Sequence, residues 1–296
     1  MTEVIDGDAI AADVRADLSE AIDRLGEAGV TPGLATVLMS DDPAPATYVS
    51  LKQQDCKEVG IESIHVEIDP DAPADELYGT IDDLNEDPAV HGILVQTPIA
   101  EQVDYDEVVG RIDPLKDVDG FHPENVGLLV GGSARFKPCT PHGVQVMLDR
   151  AGVDTEGKDA VVIGRSRIVG RPMANLLIQR DERGNATTTV CHSRTEDLAA
   201  KTRGADIVIA AAGVPELVDG SMLSPGTVVI DVGYNRIERD GETVTVGDVA
   251  FDSAREKASV ISPVPGGVGP MTRAMLLYNA VAAASLQSGV DVDLPS

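Results

Sequence analysis

The chain has 296 residues, room for one large domain or two of ordinary size, and 43% of them are apolar, enough for packed cores. Against 50 acidic residues stand only 23 basic ones, a net charge of −27. Such a surface repels nucleic acid and anionic membrane, so neither is expected as a partner. No run approaches the roughly 18 uninterrupted apolar residues of a membrane span. Glu3, Asp6, Asp8 and Asp13 make the N-terminus acidic, the reverse of a secretory signal, which places the protein in the cytoplasm. Cys56, Cys139 and Cys191 are scattered and the histidines lack ligand spacing, so neither disulfides nor a metal are expected. Only seven of the bases are lysine. An acidic, lysine-poor surface suits a high-salt cytoplasm and indicates a halophilic source.

In chain order, apolar residues Ile10, Val14, Leu18, Ile22 and Leu25 recur at helical spacing from Asp6 and stop at Gly26 and Gly29. The run Leu34–Met39 reads as a buried strand, Ala46–Val59 as a helix stopped by Gly60, and Ile61–Ile68 as a strand. A helix near Ala74–Asn85 and a strand at Gly92–Val95 follow, and this first series finishes near Asp117–Phe121. A second series begins after the proline-rich corner Lys137–Pro141. Its strands are Ala160–Ile163, Ala186–Cys191, Ile207–Ala211 and Val228–Val232, with helices after the first two. The stretch Ser262–Pro270 breaks the pattern, and a last apolar helix, Met271–Leu286, is expected to return to the first domain. The fold class is therefore α/β, two domains each built on a largely parallel sheet flanked by helices. The expected division is 1–139 plus 271–296 for the first domain and 140–270 for a Rossmann-like second.

Two regions carry chemistry. Val161–Pro172 is a strand that enters a helix through a glycine-bearing turn. Gly164 permits the sharp bend, Ser166 stands where the strict fingerprint has glycine, and the helix start offers N–H groups to a phosphate. The next strand ends on His192-Ser193-Arg194 without the acid that NAD enzymes use on the ribose, and Arg165 is a cation suited to a ribose phosphate. NADP is thus favoured over NAD, although Arg165 and Arg194 also read as ordinary surface arginines. In the first series Tyr48 and Lys52 share a helix face, and Gln96 follows a strand at its carboxyl end, where open α/β sheets place ligands. Taken singly, such residues are more often packing or loop contacts. Asp117 and Asp119, in Lys116-Asp-Val-Asp-Gly120, form a turn that lacks the remaining ligands of a calcium loop.

Thr47–Lys52, Gly92–Gln96, Lys116–Phe121, Pro138–Pro141, Val162–Gly170, Cys191–Arg194 and Pro263–Thr272 occur in the order of one family. From about Asp6 to Ala284 the chain resembles the bifunctional methylenetetrahydrofolate dehydrogenase/methenyltetrahydrofolate cyclohydrolases. That resemblance implies NADP-dependent oxidation of methylenetetrahydrofolate, then hydrolysis to 10-formyltetrahydrofolate. By motif position it implies Lys52 as the catalytic lysine, Gln96 tuning it, Tyr48 against the pterin and Asp119 anchoring the pterin's amino edge. Gly267, Val268 and Pro270 would wall the folate site. Arg165, Ser193 and Arg194 would meet the ribose phosphate, with Gly164, Ser166 and the backbone near Tyr234 completing the cofactor site. The resemblance also implies a homodimer, for which Thr243–Val246, after the polar turn Arg239–Gly241, is a possible edge. Two departures are Thr97, where the family has leucine after the glutamine, and Arg194, where it has lysine. A member with one activity, another two-domain dehydrogenase and a nucleotide-binding module without chemistry remain alternatives.

Overall fold

The computed structural model describes residues 2–40 and 43–295, with the side chains of 43–48 outside that description. The chain forms two compact units, one of Ala12–Cys139 with Arg273–Ser296, the other of Met1–Ala11 with Thr140–Thr272.

In the first unit a three-stranded parallel sheet runs in the order β3-β2-β4, from β2 (Gly33–Leu38), β3 (Glu62–Glu67) and β4 (Gly92–Val95). Central β2 and edge strand β4 are buried along their whole length, which is why their sequences are continuous apolar runs, whereas the other edge strand, β3, mixes Ser63 and His65 with Ile64 and Val66. The connecting helices are α2 (Pro43–Val59) and α3 (Ala74–Glu86); α1 (Gly7–Glu27) precedes the sheet. Leu77, Tyr78, Ile81 and Leu84 of α3, three to four apart, pack on Val37, Met39, Ile93 and Val95. Short helices α4 (Tyr105–Arg111) and α5 (Pro123–Val130) and the start of α6 (Cys139–Arg150) follow. The proline-rich corner opens α6: Pro141 sits in its first turn, where a missing N–H leaves no partner unsatisfied.

The second unit is a six-stranded parallel sheet in the order β1-β11-β8-β7-β5-β6. Its strands are β1 (Glu3–Val4), β5 (Asp159–Ile163), β6 (Thr187–Cys191), β7 (Ile207–Ala210), β8 (Val228–Asp231) and β11 (Val260–Ile261). The residues ahead of α1, which the apolar periodicity does not reach, form β1 and extend this sheet through Glu3–Val260 and Val4–Ile261 pairs. Helices α7 (Gly170–Leu177), α8 (Leu198–Arg203) and α9 (Phe251–Arg255) lie between strands, and α10 (Val268–Ser288) ends the fold. The chain steps from β5 to β6 on one side and to β7 on the other. The order therefore reverses at β5 and β7, and a ligand crevice is expected outside their carboxyl ends. A hairpin of β9 (Asn235–Arg239) and β10 (Glu242–Val246) turns through Asp240 and Gly241, both at positive φ (55° and 83°) as a tight two-residue turn demands. Among the described residues no helix is long and apolar enough to cross a membrane.

Truncating the fully buried Ile81 to alanine leaves a void between α3 and the three-stranded sheet. The expected cost is about 2–5 kcal/mol, read as a lower denaturation midpoint at fixed salt.

Candidate active site

Helix α2 presents Lys52 and β4 ends one residue before Gln96, so two distant segments converge. The Lys52 ammonium donates to Gln96 Oε1 at 2.8 Å, and Gln96 Nε2 donates to the Thr97 carbonyl at 2.9 Å, which turns the amide oxygen toward the lysine. Tyr48 precedes Lys52 by one helical turn, but its side chain lies outside the described residues.

Asp119 reaches the same neighbourhood through a turn held from three sides. Lys116 is buried and its ammonium donates to the carbonyls of Leu84, Asn85 and Asp87 at 3.0, 2.7 and 2.8 Å, satisfying the end of α3. Asp117 accepts from the backbone N–H groups of Phe121 and His122 and from Asn125 Nδ2, at 3.2, 2.7 and 2.8 Å. Asn279, buried on α10, donates to the carbonyls of Val118 and Lys137 at 2.7 and 2.9 Å. The two acids of the turn are thereby distinguished. Asp117 is consumed in shaping it, while half-buried Asp119 faces the lysine's charge and, at 3.9 Å, the Cys139 thiol.

Burial lowers the Lys52 pKa from the ordinary lysine value, and the Arg273 guanidinium lowers it further; Asp119 opposes the shift. Burial pushes Asp119 up to about 6, against the pull of Lys52. The Cys139 thiol is driven well above its usual range by burial and by Asp119, and Cys56 up to about 12, chiefly by burial, so neither is a thiolate nucleophile. Arg273 is itself held by Asp55 at 3.3 Å, three residues after Lys52 on α2. An amine partly stripped of water beside a carboxylate can give and take protons near neutrality.

In the second unit, Gly164 follows β5 at φ +129°, and a Cβ there would collide with the Ala211 carbonyl; Gly170, at the start of α7, packs directly on Gly164. Ser166 Oγ accepts from the N–H groups of Val169 and Gly170 at 3.1 and 3.4 Å. Arg165, Ser193, Arg194 and Tyr234 are exposed, and the turn after β6 is closed by bonds from His192 N to Thr195 Oγ1 and from Arg194 N to His192 Nδ1. A cradle too tight for a side chain, exposed arginines and no carboxylate in His192–Arg194 fit a phosphorylated dinucleotide. Gly267, Val268 and Pro270 stand where the chain enters α10. Gly266 there takes φ +90°, and an added Cβ at Gly267 would strike the Pro263 carbonyl.

Lys52, Gln96 and Asp119 are thus brought together in one unit, and Gly164, Arg165, Ser166, Ser193, Arg194 and Tyr234 follow the carboxyl ends of strands in the other. Sequence reasoning missed the supports Lys116, Asn279, Asp55 and Arg273. The one available signal was a polar Asn279 inside an otherwise apolar helix face. Among the described residues no cluster of histidine, cysteine and acids could hold a metal ion.

The family model of the tetrahydrofolate dehydrogenase/cyclohydrolase catalytic domain matches residues 5–119, and that of the NAD(P)-binding domain matches 138–288. The "Bifunctional protein FolD" of Natronomonas pharaonis, a halophilic archaeon, is 66% identical over 297 aligned positions, covering 100% of both chains. The crystal structure of the bifunctional methylenetetrahydrofolate dehydrogenase/cyclohydrolase of Campylobacter jejuni is 46% identical with TM-score 0.91, covering 97% of this chain and 100% of that one. The Trypanosoma brucei dehydrogenase-cyclohydrolase, crystallised with NADP and an inhibitor, is 38% identical with TM-score 0.91, covering 97% and 98%. With both domain models and full-length relatives matched, this chain belongs to the tetrahydrofolate dehydrogenase/cyclohydrolase family.

Proposed function

We infer that this protein acts twice on a one-carbon unit carried by tetrahydrofolate, oxidising 5,10-methylenetetrahydrofolate with NADP and hydrolysing the methenyl product to 10-formyltetrahydrofolate. The observation that carries the reading is the Lys52–Gln96 hydrogen bond at 2.8 Å beside Asp119, with the lysine's pKa lowered by burial. Bound NADP would supply the hydride acceptor. The first unit, Ala12–Cys139 with Arg273–Ser296, takes the folate, and the second, Met1–Ala11 with Thr140–Thr272, takes the dinucleotide.

For oxidation the side chains need only align the pterin. Ionised Asp119 accepts two N–H bonds from the aminopyrimidine edge. For hydrolysis, water attacks the carbon between N5 and N10 while neutral Lys52 takes its proton. The resulting ammonium returns that proton to N5 as the C–N5 bond opens, and the carbinol hydroxyl releases its own proton to solvent as the carbonyl forms, leaving the formyl group on N10. Gln96 holds the amine in line through both transfers. Arg165, Ser193 and Arg194 hold the ribose phosphate, Gly164 and Ser166 the pyrophosphate turn, and the backbone at Tyr234 the remaining edge. A homodimer through the open edge of β10 and a high-salt cytoplasmic setting complete the proposal. The acidic, lysine-poor surface supports the setting. A mass near 31.0 kDa on gel filtration in molar salt would remove the dimer.

The first test is a coupled assay in molar salt, following NADPH and methenyltetrahydrofolate by absorbance. The wild type is expected to make NADPH with little methenyl build-up, and Lys52→Met to lose hydrolysis by roughly 10²–10⁴-fold. No NADPH under any salt condition sinks the dehydrogenase.

Two pH limbs follow from the shifted groups. Neutral Lys52 becomes more abundant as pH rises, so the hydrolytic rate should climb to a plateau with an apparent pKa below the ordinary lysine value of 10.5. Asp119 loses its charge as pH falls through about 6, so kcat/KM for the folate should drop below that pH. A flat acid limb contradicts the pterin anchor.

Removing the Arg165 guanidinium should weaken NADP selectively. A charge-assisted bond contributes about 1.5–3 kcal/mol, roughly tenfold or more in KM, with the KM for NAD little changed. Equal losses for NADP and NAD would exclude Arg165 from the ribose phosphate.

A further inference from the structure

We propose that Asp248 is a positioning residue for the dinucleotide site, its carboxylate fixing the loop Ala212–Val214 at the reversal point of the six-stranded sheet. The proposal rests on the reading that the second unit binds NADP.

The loop leaves β7 beside the turn that leaves β5, and the Ala211 carbonyl fills the space where a side chain at Gly164 would stand. Whatever fixes this loop therefore fixes one wall of the phosphate turn. Beyond Ala211 the sheet ladder has ended, and three successive backbone N–H groups need acceptors. Those of Ala212 and Gly213 donate to Asp248 Oδ2 at 2.6 and 2.8 Å, and that of Val214 donates to Oδ1 at 3.0 Å. Gly213 takes φ +65°, which lets three consecutive N–H vectors converge on one carboxylate. Asn235 Nδ2 supplies a fourth donor to Oδ1 at 2.9 Å. Asp248 is completely buried, and every one of these partners is a neutral N–H.

Asp231 sets the clamp in place. At the end of β8 it accepts from the N–H groups of Gly233, Asp248 and Val249, each at 2.9 Å. Gly233 and Gly247 have no room for a Cβ, which would collide with the Asp248 and Asp231 carboxylates respectively. Burial, with Asp248's charge adding, pushes Asp231 up to about 6. Two adjoining desolvated acids are a costly way to close a turn that glycines alone could make. What they add is a loop with one allowed shape. The clamp also brackets Tyr234, because Gly233 on one side and Asn235 on the other are both tied to it.

Asp248→Asn keeps the shape but turns an amide N–H₂ toward backbone N–H groups. The experiment titrates NADPH by its fluorescence enhancement and, separately, measures methenyltetrahydrofolate hydrolysis without dinucleotide, for wild type, Asp248→Asn and Asn235→Ala. Expected is a rise in NADPH Kd of at least tenfold for Asp248→Asn and about two- to fivefold for Asn235→Ala, with hydrolysis within about twofold of wild type. An Asp248→Asn Kd within twofold of wild type, or hydrolysis falling in step with binding, overturns the proposal. If Asp248→Asn does not fold, Asn235→Ala decides: a raised Kd with intact hydrolysis supports the clamp, and an unchanged Kd overturns it. A wild type that hydrolyses methenyltetrahydrofolate but does not bind NADPH removes the dinucleotide reading itself.

Discussion

A lysine exchanges protons near neutrality only if its ammonium is partly stripped of water without being locked to a single counter-charge. The environment of Lys52 is built to that constraint. Burial disfavours the charged form and so does Arg273, while Asp119 favours it. Gln96, a neutral acceptor at 2.8 Å, orients the amine without adding a full charge that would hold the proton on it. An aspartate in place of Gln96 would favour the ammonium and defeat the arrangement. Arg273 is in turn paired with Asp55 at 3.3 Å, so this ion pair belongs to the same balance.

The number of donors around an acid separates Asp119, open to a ligand, from the acids that shape backbone turns. Asp117, Asp231 and Asp248 each accept at least three N–H donors, so each is occupied in shaping a backbone turn. Asp119 receives a weak thiol contact at 3.9 Å and keeps acceptor capacity for a ligand. Two acids two residues apart in Lys116-Asp-Val-Asp-Gly120 therefore do different things, and the donors around them decide which does what.

This is also where sequence reading runs out. The buried strands β2, β4, β5 and β7 are legible because a strand covered on both faces must be apolar throughout, and the periodicity of α1 and α3 reports the faces they bury. Two-residue strands β1 and β11 are not legible, since pairing Glu3–Val4 with Val260–Ile261 depends on segments more than 250 residues apart. At the site, Lys52, Gln96 and Asp119 are recognisable from motifs. The supports are not, because nothing in the local sequence of Lys116 announces three carbonyls at the end of α3, nor in that of Asp248 the loop after β7.

The charge balance gives the interior its sharpest contrast. A chain with only seven lysines places half-buried Lys52 and buried Lys116 at the site, while its sixteen arginines carry most of the positive charge. Arginine could not serve in the first place, because its guanidinium stays protonated and cannot act as a base beside Gln96; in the second, a compact ammonium directs three donors at three carbonyls. Selection for an acidic, lysine-poor surface acts on hydration and solubility. Lysine persists where a deprotonable amine or a compact three-way donor is required.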